Sequence, residues 1–183
     1  MPISQLSNAA IASNAAIATS KLGAGTVLQV VQAVKTDTFA GTPGAVWLDI
    51  TGLSASITPS SASNKILIIV DVKGSGTAGN SIVRSRLLRG STAIYVGDSA
   101  SNRPLVLGQF YIGAQADNVH YLAQLGGTFL DSPATTSSVT YKIQIGSDGN
   151  DRTCYVNRTQ GDRDNAYYDS RCASSITLME IAV

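Results

Sequence analysis

The stretch Asn64-Lys65-Ile66-Leu67-Ile68-Ile69-Val70-Asp71-Val72-Lys73-Gly74-Ser75-Gly76-Thr77-Ala78-Gly79 decides between two fold classes. An apolar strand running into G-x-G-x-x-G is how a dinucleotide-binding βαβ unit begins, and Asp98 stands where such a fold would hold the ribose. That fold needs a helix straight after the third glycine, packed on the sheet with its N-terminus aimed at the pyrophosphate. Between Asn80 and Gly90 only Val83 and Leu87 keep helical spacing, and Arg84 and Arg86 break the face that Ile82 begins. No further βα unit follows. The glycines therefore read as a loop between two strands, and no cofactor is expected.

The rest of the body agrees. Residues 27–34, 46–50, 53–58, 66–73, 82–88, 93–96, 105–112, 121–130, 139–145, 153–157 and 175–182 are rich in Val, Ile, Thr, Tyr and Phe and bounded by Gly, Pro, Asn, Asp and Ser, as strands are. No part of the body carries a long apolar i, i+3, i+4, i+7 stripe. This spacing predicts an all-β fold, an antiparallel β-sandwich of jelly-roll type, over residues 26–183. Trp47, near Leu53 and Ile57, is expected in its core.

Charge narrows the function. The chain has 183 residues, 13 basic and 12 acidic side chains, and only 14% charged residues against 44% apolar. A net charge of +1 leaves no electrostatic footprint for nucleic acid, and the apolar content is too high for a disordered chain. The longest aliphatic run, Ile66 to Val70, is far short of a membrane span, and the N-terminus has no secretory signal pattern. Cys154 and Cys172 could pair, but free structural thiols are the expectation.

Residues 1–25 differ from the body. Lys21 is their only charged side chain, and Ser7-Asn8-Ala9-Ala10-Ile11-Ala12 recurs unchanged as Ser13-Asn14-Ala15-Ala16-Ile17-Ala18. A six-residue repeat puts Ile11 and Ile17 on one face of an extended chain, although alanine also suits a short helix. Besides Met1 the large apolar side chains are Ile3, Leu6, Ile11, Ile17 and Leu22. Burying each returns about 1.5 to 3 kcal/mol, while fixing each backbone residue costs about 1 to 2 kcal/mol. The segment reads as an anchoring arm ordered by another chain, with Gly23 and Gly25 as its joint; a disordered terminus is the alternative.

Catalytic chemistry finds little support. There is no G-x-S-x-G elbow, and His120, the single histidine, reads as a hydrogen-bonded strand residue. Asp148-Gly149-Asn150-Asp151 and Asp162-Arg163-Asp164 lack a calcium-loop spacing and read as turns. Asn157-Arg158-Thr159 matches a glycosylation acceptor but has no secretory context. Between Asp151 and Arg171, however, Arg158 and Arg163 interleave with Tyr155, Tyr167 and Tyr168 among several acids. Tyr and Arg are what interfaces favour, so these five form a candidate recognition surface; a solvated, self-paired hairpin is the alternative. Residues 27–34 are apolar on both faces, with Val27, Val31 and Ala33 on one and Leu28, Val30 and Val34 on the other. One sheet with a wet face cannot cover both, which implies self-association.

The run Thr128-Phe129-Leu130-Asp131-Ser132-Pro133-Ala134-Thr135-Thr136-Ser137-Ser138-Val139-Thr140-Tyr141-Lys142, then Tyr155-Val156-Asn157-Arg158, then Ser174-Ser175-Ile176-Thr177-Leu178-Met179-Glu180-Ile181, resembles a module common in structural proteins of tailed bacteriophages. Leu53 to Pro59, followed by Asn64-Lys65-Ile66-Leu67, resembles its front half, so the likeness spans most of residues 46–182. Similar modules end tail and head fibres or sit on capsid surfaces, typically as homotrimers with slender N-terminal segments attached to the virion. The repeats followed by Lys21-Leu22-Gly23 are similar to fibre stalks, here very short. The resemblance implies a non-enzymatic protein of the virion surface, assembled in the host cytoplasm and anchored through its arm to capsid or tail. Its alternative is the receptor- or glycan-binding tip of a tail fibre. It implies no catalytic residue, cofactor, metal, nucleic acid or membrane insertion.

Overall fold

The computed structural model describes residues 22–44, 46–149 and 151–183. Ile3, Leu6, Ile11 and Ile17 of the arm lie outside the described residues.

The sequence alternation sets the strands. In β3 (Leu48–Ile57) Ile50, Leu53, Ala55 and Ile57 are buried while Asp49, Thr51, Ser54 and Ser56 face out. Ile50 and Leu53 are out of phase, and Gly52, at φ +88°, takes up the extra residue within one continuous strand. Residues 46–50 and 53–58 are thus one strand rather than two.

β1 (Val27–Lys35), β13 (Ser174–Ile181), β4 (Lys65–Asp71) and β10 (Gly127–Asp131) form one antiparallel sheet in that order. β3, β11 (Val139–Ser147) and β6 (Ser81–Arg89) form the second, where β7 (Thr92–Ile94) and β8 (Gly108–Ile112) share the far edge of β6. A small third sheet, β2 (Phe39–Gly41), β12 (Cys154–Val156), β5 (Lys73–Gly76) and β9 (Ala123–Gln124), continues the first. Long strands cross from sheet to sheet along the chain, except the neighbours β6 and β8, and the first long strand lies beside the last. This is the double Greek key of a jelly roll, so the fold is the all-β antiparallel sandwich expected.

Ile66, Ile68 and Val70 of β4 and Ile176 and Leu178 of β13 meet Leu53, Ile57, Leu87, Tyr141, Ile143 and Ile145 in one core. Buried Asp131 accepts hydrogen bonds from the Tyr141 hydroxyl (2.6 Å) and from Arg89 (2.9 Å), tying one sheet to the other. Burial and this bond push the Tyr141 phenol far above its ordinary pKa.

Trp47 is not in the core. It lies half-buried on the outer face of the second sheet, against Gly146, where a Cβ would come within 2.9 Å of the indole, with the Arg86 guanidinium 4.5 Å over the ring. Alternation marks which residues share a face, and the flat seat that Gly146 provides is a feature of the neighbouring strand.

Candidate functional site

The two small sheet sections share a seam. β4 and β5, β9 and β10, and β1 and β2 each follow one another along the chain, so β12 and β13 occupy the same lane. Between them the chain leaves after Val156 and returns at Ser174. Asn157 closes the neck of this excursion. Fully buried and at φ 63°, it donates from Nδ2 to the Lys35 carbonyl (2.8 Å) and the Asp37 carbonyl (2.9 Å), and Oδ1 accepts from the Ser174 hydroxyl (2.6 Å). Asparagine suits this left-handed backbone better than most residues. So enclosed, it is no glycan acceptor.

Within the excursion, Asp169 is the hub. Its side chain is 3% exposed and accepts from the Thr159 hydroxyl (2.6 Å), the Arg163 backbone N–H (3.1 Å) and the Arg163 Nε (3.0 Å). These bonds, Thr159 foremost, then Arg163 and His120, hold its carboxyl well below the usual range although burial opposes them. Gly161 makes room: a Cβ there would fall 2.9 Å from the Asp169 carboxylate. His120, at the end of a 3-10 turn over Ala116–His120, docks against the hub with Nδ1 3.1 Å from Asp169 and Nε2 2.8 Å from an Arg163 nitrogen. The same Arg163 nitrogen also lies 3.2 Å from Nδ1, so one edge of the imidazole is shared between the Arg163 donor and the Asp169 carboxylate.

The five sequence candidates come together here but divide into two roles. Arg158 lies with its guanidinium 4.3 Å over the Tyr155 ring and pairs with Asp162, which also holds Arg171 at 2.7 Å; these are braces. Arg163, Tyr167 and Tyr168 form the crest. Tyr168 stacks on His120 with ring centroids 5.0 Å apart, and Tyr167 is 91% exposed. Beside them a concavity of about 470 Å³ is lined by Arg163, Asp164, Asn165, Ser170 and Arg171. A fixed loop with two exposed phenols and arginine donors can stack on and hydrogen-bond to a partner. His120, Asp169 and Asn157 were not among the sequence candidates; their roles depend on contacts such as Asn157 with Lys35, 122 positions apart.

Leu22 and the root of the arm sit at the other end of the strands. Gly25 N–H donates to the Ala182 carbonyl (2.8 Å) and Ala182 N–H to Thr26 (2.9 Å). Beneath, buried Glu180 receives Ser60 N–H (2.7 Å), Asn64 Nδ2 (2.6 Å) and Gln29 Nε2 (2.6 Å). Burial alone would raise its pKa, and these bonds outweigh burial and leave it lowered. The excursion leaves about 23 Å away, the length of β13 at roughly 3.3 Å per residue.

The remaining motifs are structural. Gly74 and Gly76 lie in β5, where a Cβ on Gly76 would come 2.5 Å from Val83, so the G-x-G-x-x-G is a packed strand and its turn. Both cysteines are free; burial pushes the Cys154 thiol up to about 12. Among the described residues no group of three or more His, Cys, Asp or Glu gathers to hold a metal, and no helix is long and apolar enough to cross a membrane.

No family model and no curated protein matches the chain. Among solved structures, 84% of it is similar to 42% of a chain in a structure of the Gt strain of infectious bursal disease virus, at 12% identity and TM-score 0.42. A second, the VP2 subviral particle of infectious bursal disease virus, is similar over 85% of this chain and 41% of its own, at 9% identity and TM-score 0.40. The chain therefore spans about two fifths of the length of either.

Proposed function

We propose that this chain is a structural protein of a tailed-bacteriophage virion, homotrimeric, held to capsid or tail by residues 1–25 with the jelly-roll body outward. The observation that carries this reading is polarity. The arm joins one end of the strands through Gly25, Thr26 and Ala182, and the braced excursion stands off the opposite half. The sequence resemblance over residues 46–182 supports the virion as the setting. A jelly roll alone does not, because the fold serves many functions. Labelled antibody against the body, imaged on virions by electron microscopy, should decorate fixed sites on head or tail; virions without label would overturn the reading.

A second reading, a receptor- or glycan-binding tip, is favoured by Tyr167, exposed at 91% on a braced loop. It expects the isolated protein to bind host cells and Tyr167→Ala with Tyr168→Ala to abolish that binding. Equal binding by the variant would refute it.

A further inference from the structure

We propose that the outer face of the β1-β13-β4-β10 sheet is where copies of this chain meet. The two outer faces of the sandwich differ in kind. On the second sheet Lys142 pairs with Asp49 (2.8 Å) and Arg86 with Gln144 (2.7 Å), as befits a wet face. On the first, the strand registers line up Val30, Met179, Leu67 and Leu130 as one apolar row across all four strands. Val30 is 56% and Leu130 45% exposed, and Ile69 and Val34 extend the patch. The next row is Gln32, Thr177, Ile69 and Thr128, with Gln32 donating to the Thr177 hydroxyl at 2.8 Å. The charges on this face stand at its ends: Asp71, held by Lys73, at one, and Lys65, opposite Ile181, at the other.

Four strands about 4.8 Å apart and some 23 Å long give a projected face of roughly 450 Å². Two such faces bury roughly 900 Å² between them, above most incidental contacts and below the roughly 1,600 Å² of a standard interface, so the contact is a small one that the exposed Val27 extends at its margin. A second copy fits because of the rows. If every arm anchors to the same surface, which is the part of the preceding reading that this inference rests on, the symmetry axis runs along the strands. Cyclic symmetry then sets each row against the same row of its neighbour: apolar meets apolar, and Gln32 and Thr177 meet hydrogen-bonding partners.

Light scattering after size exclusion on the full chain tests this, with Val30→Glu plus Leu130→Glu against Ser54→Glu plus Thr140→Glu on the wet sheet. The expected result is an oligomer for the wild type and the wet-sheet variant and a monomer, with an unchanged circular dichroism spectrum, for the first pair. A Val30/Leu130 variant that loses its strand spectrum is replaced by Met179→Cys with Cys172→Ser, whose introduced thiols should form a disulfide between positions 179 of two copies under mild oxidant. An oligomer that neither charge nor cysteine at this face affects overturns the face and leaves self-association standing. A monomeric wild type overturns both.

Discussion

Replacing Asn157 by Ala should cost about 3 to 7 kcal/mol, an amount that follows from what the side chain holds. Two of its partners, the Lys35 carbonyl and the Ser174 hydroxyl, make buried bonds to it. Stranding each costs about 1 to 3 kcal/mol. The third, the Asp37 carbonyl, is in a part-buried bond and can turn to water. Alanine at φ 63° adds roughly 1 kcal/mol of backbone strain. For a domain whose whole stability is on the order of 5 to 15 kcal/mol, this is a large share, since the residue joins the end of β1 to the point where β12 and β13 part. Urea unfolding followed by circular dichroism measures it. Asn157→Asp keeps shape and backbone preference but sets a charge against two carbonyls, and should cost at least as much. A loss below about 1 kcal/mol in Asn157→Ala would refute the idea that this amide clamps the neck of the excursion.

Asp169 and Glu180 have lowered folded-state pKa values, so each stabilises the fold above its unfolded pKa, and that contribution is lost as pH falls through the folded one. Stability and protease resistance of the excursion should therefore hold from neutral pH to about 4, near the ordinary carboxyl range, and decline below it. Asp169→Asn should bring tryptic cleavage at Arg163 and Arg171 forward at neutral pH, with the strand spectrum unchanged. Gly76→Ala should destabilise by about 1 to 3 kcal/mol through overpacking against Val83, read as a lower urea midpoint, whereas Gly23→Ala, with open space around it, should be neutral. In the native protein a maleimide should label Cys172 and spare Cys154, whose buried thiol stays protonated; labelling of both without denaturant would contradict the packing of β12.

Strands were legible because alternation and turn residues are local. Some boundaries were not. The expected strand 121–130 is split at Gly126, whose missing Cβ leaves room for the Val70 carbonyl, and β2 is too short, at three residues, to show a pattern. Trp47 was misplaced because period two assigns a residue to a face without saying which face is inside. In the excursion the sequence displayed the tyrosines and arginines, while the reason they stand proud lies in Asp169, His120 and Asn157. Their contacts join segments distant in the chain, and no spacing rule reports them. That residues 22–26 sit at one end of the first sheet and the excursion leaves at its other end, beside the third sheet, likewise emerges only from the sheet order.

A chain beginning at Thr26 tests the central claim most directly. Mixed with virions lacking the protein, it should show the full-length strand spectrum and leave the particles undecorated, and Ile11→Asp with Ile17→Asp in the full-length chain should do nearly the same. Full occupancy by the shortened chain would place the anchor in the jelly-roll body and contradict the account.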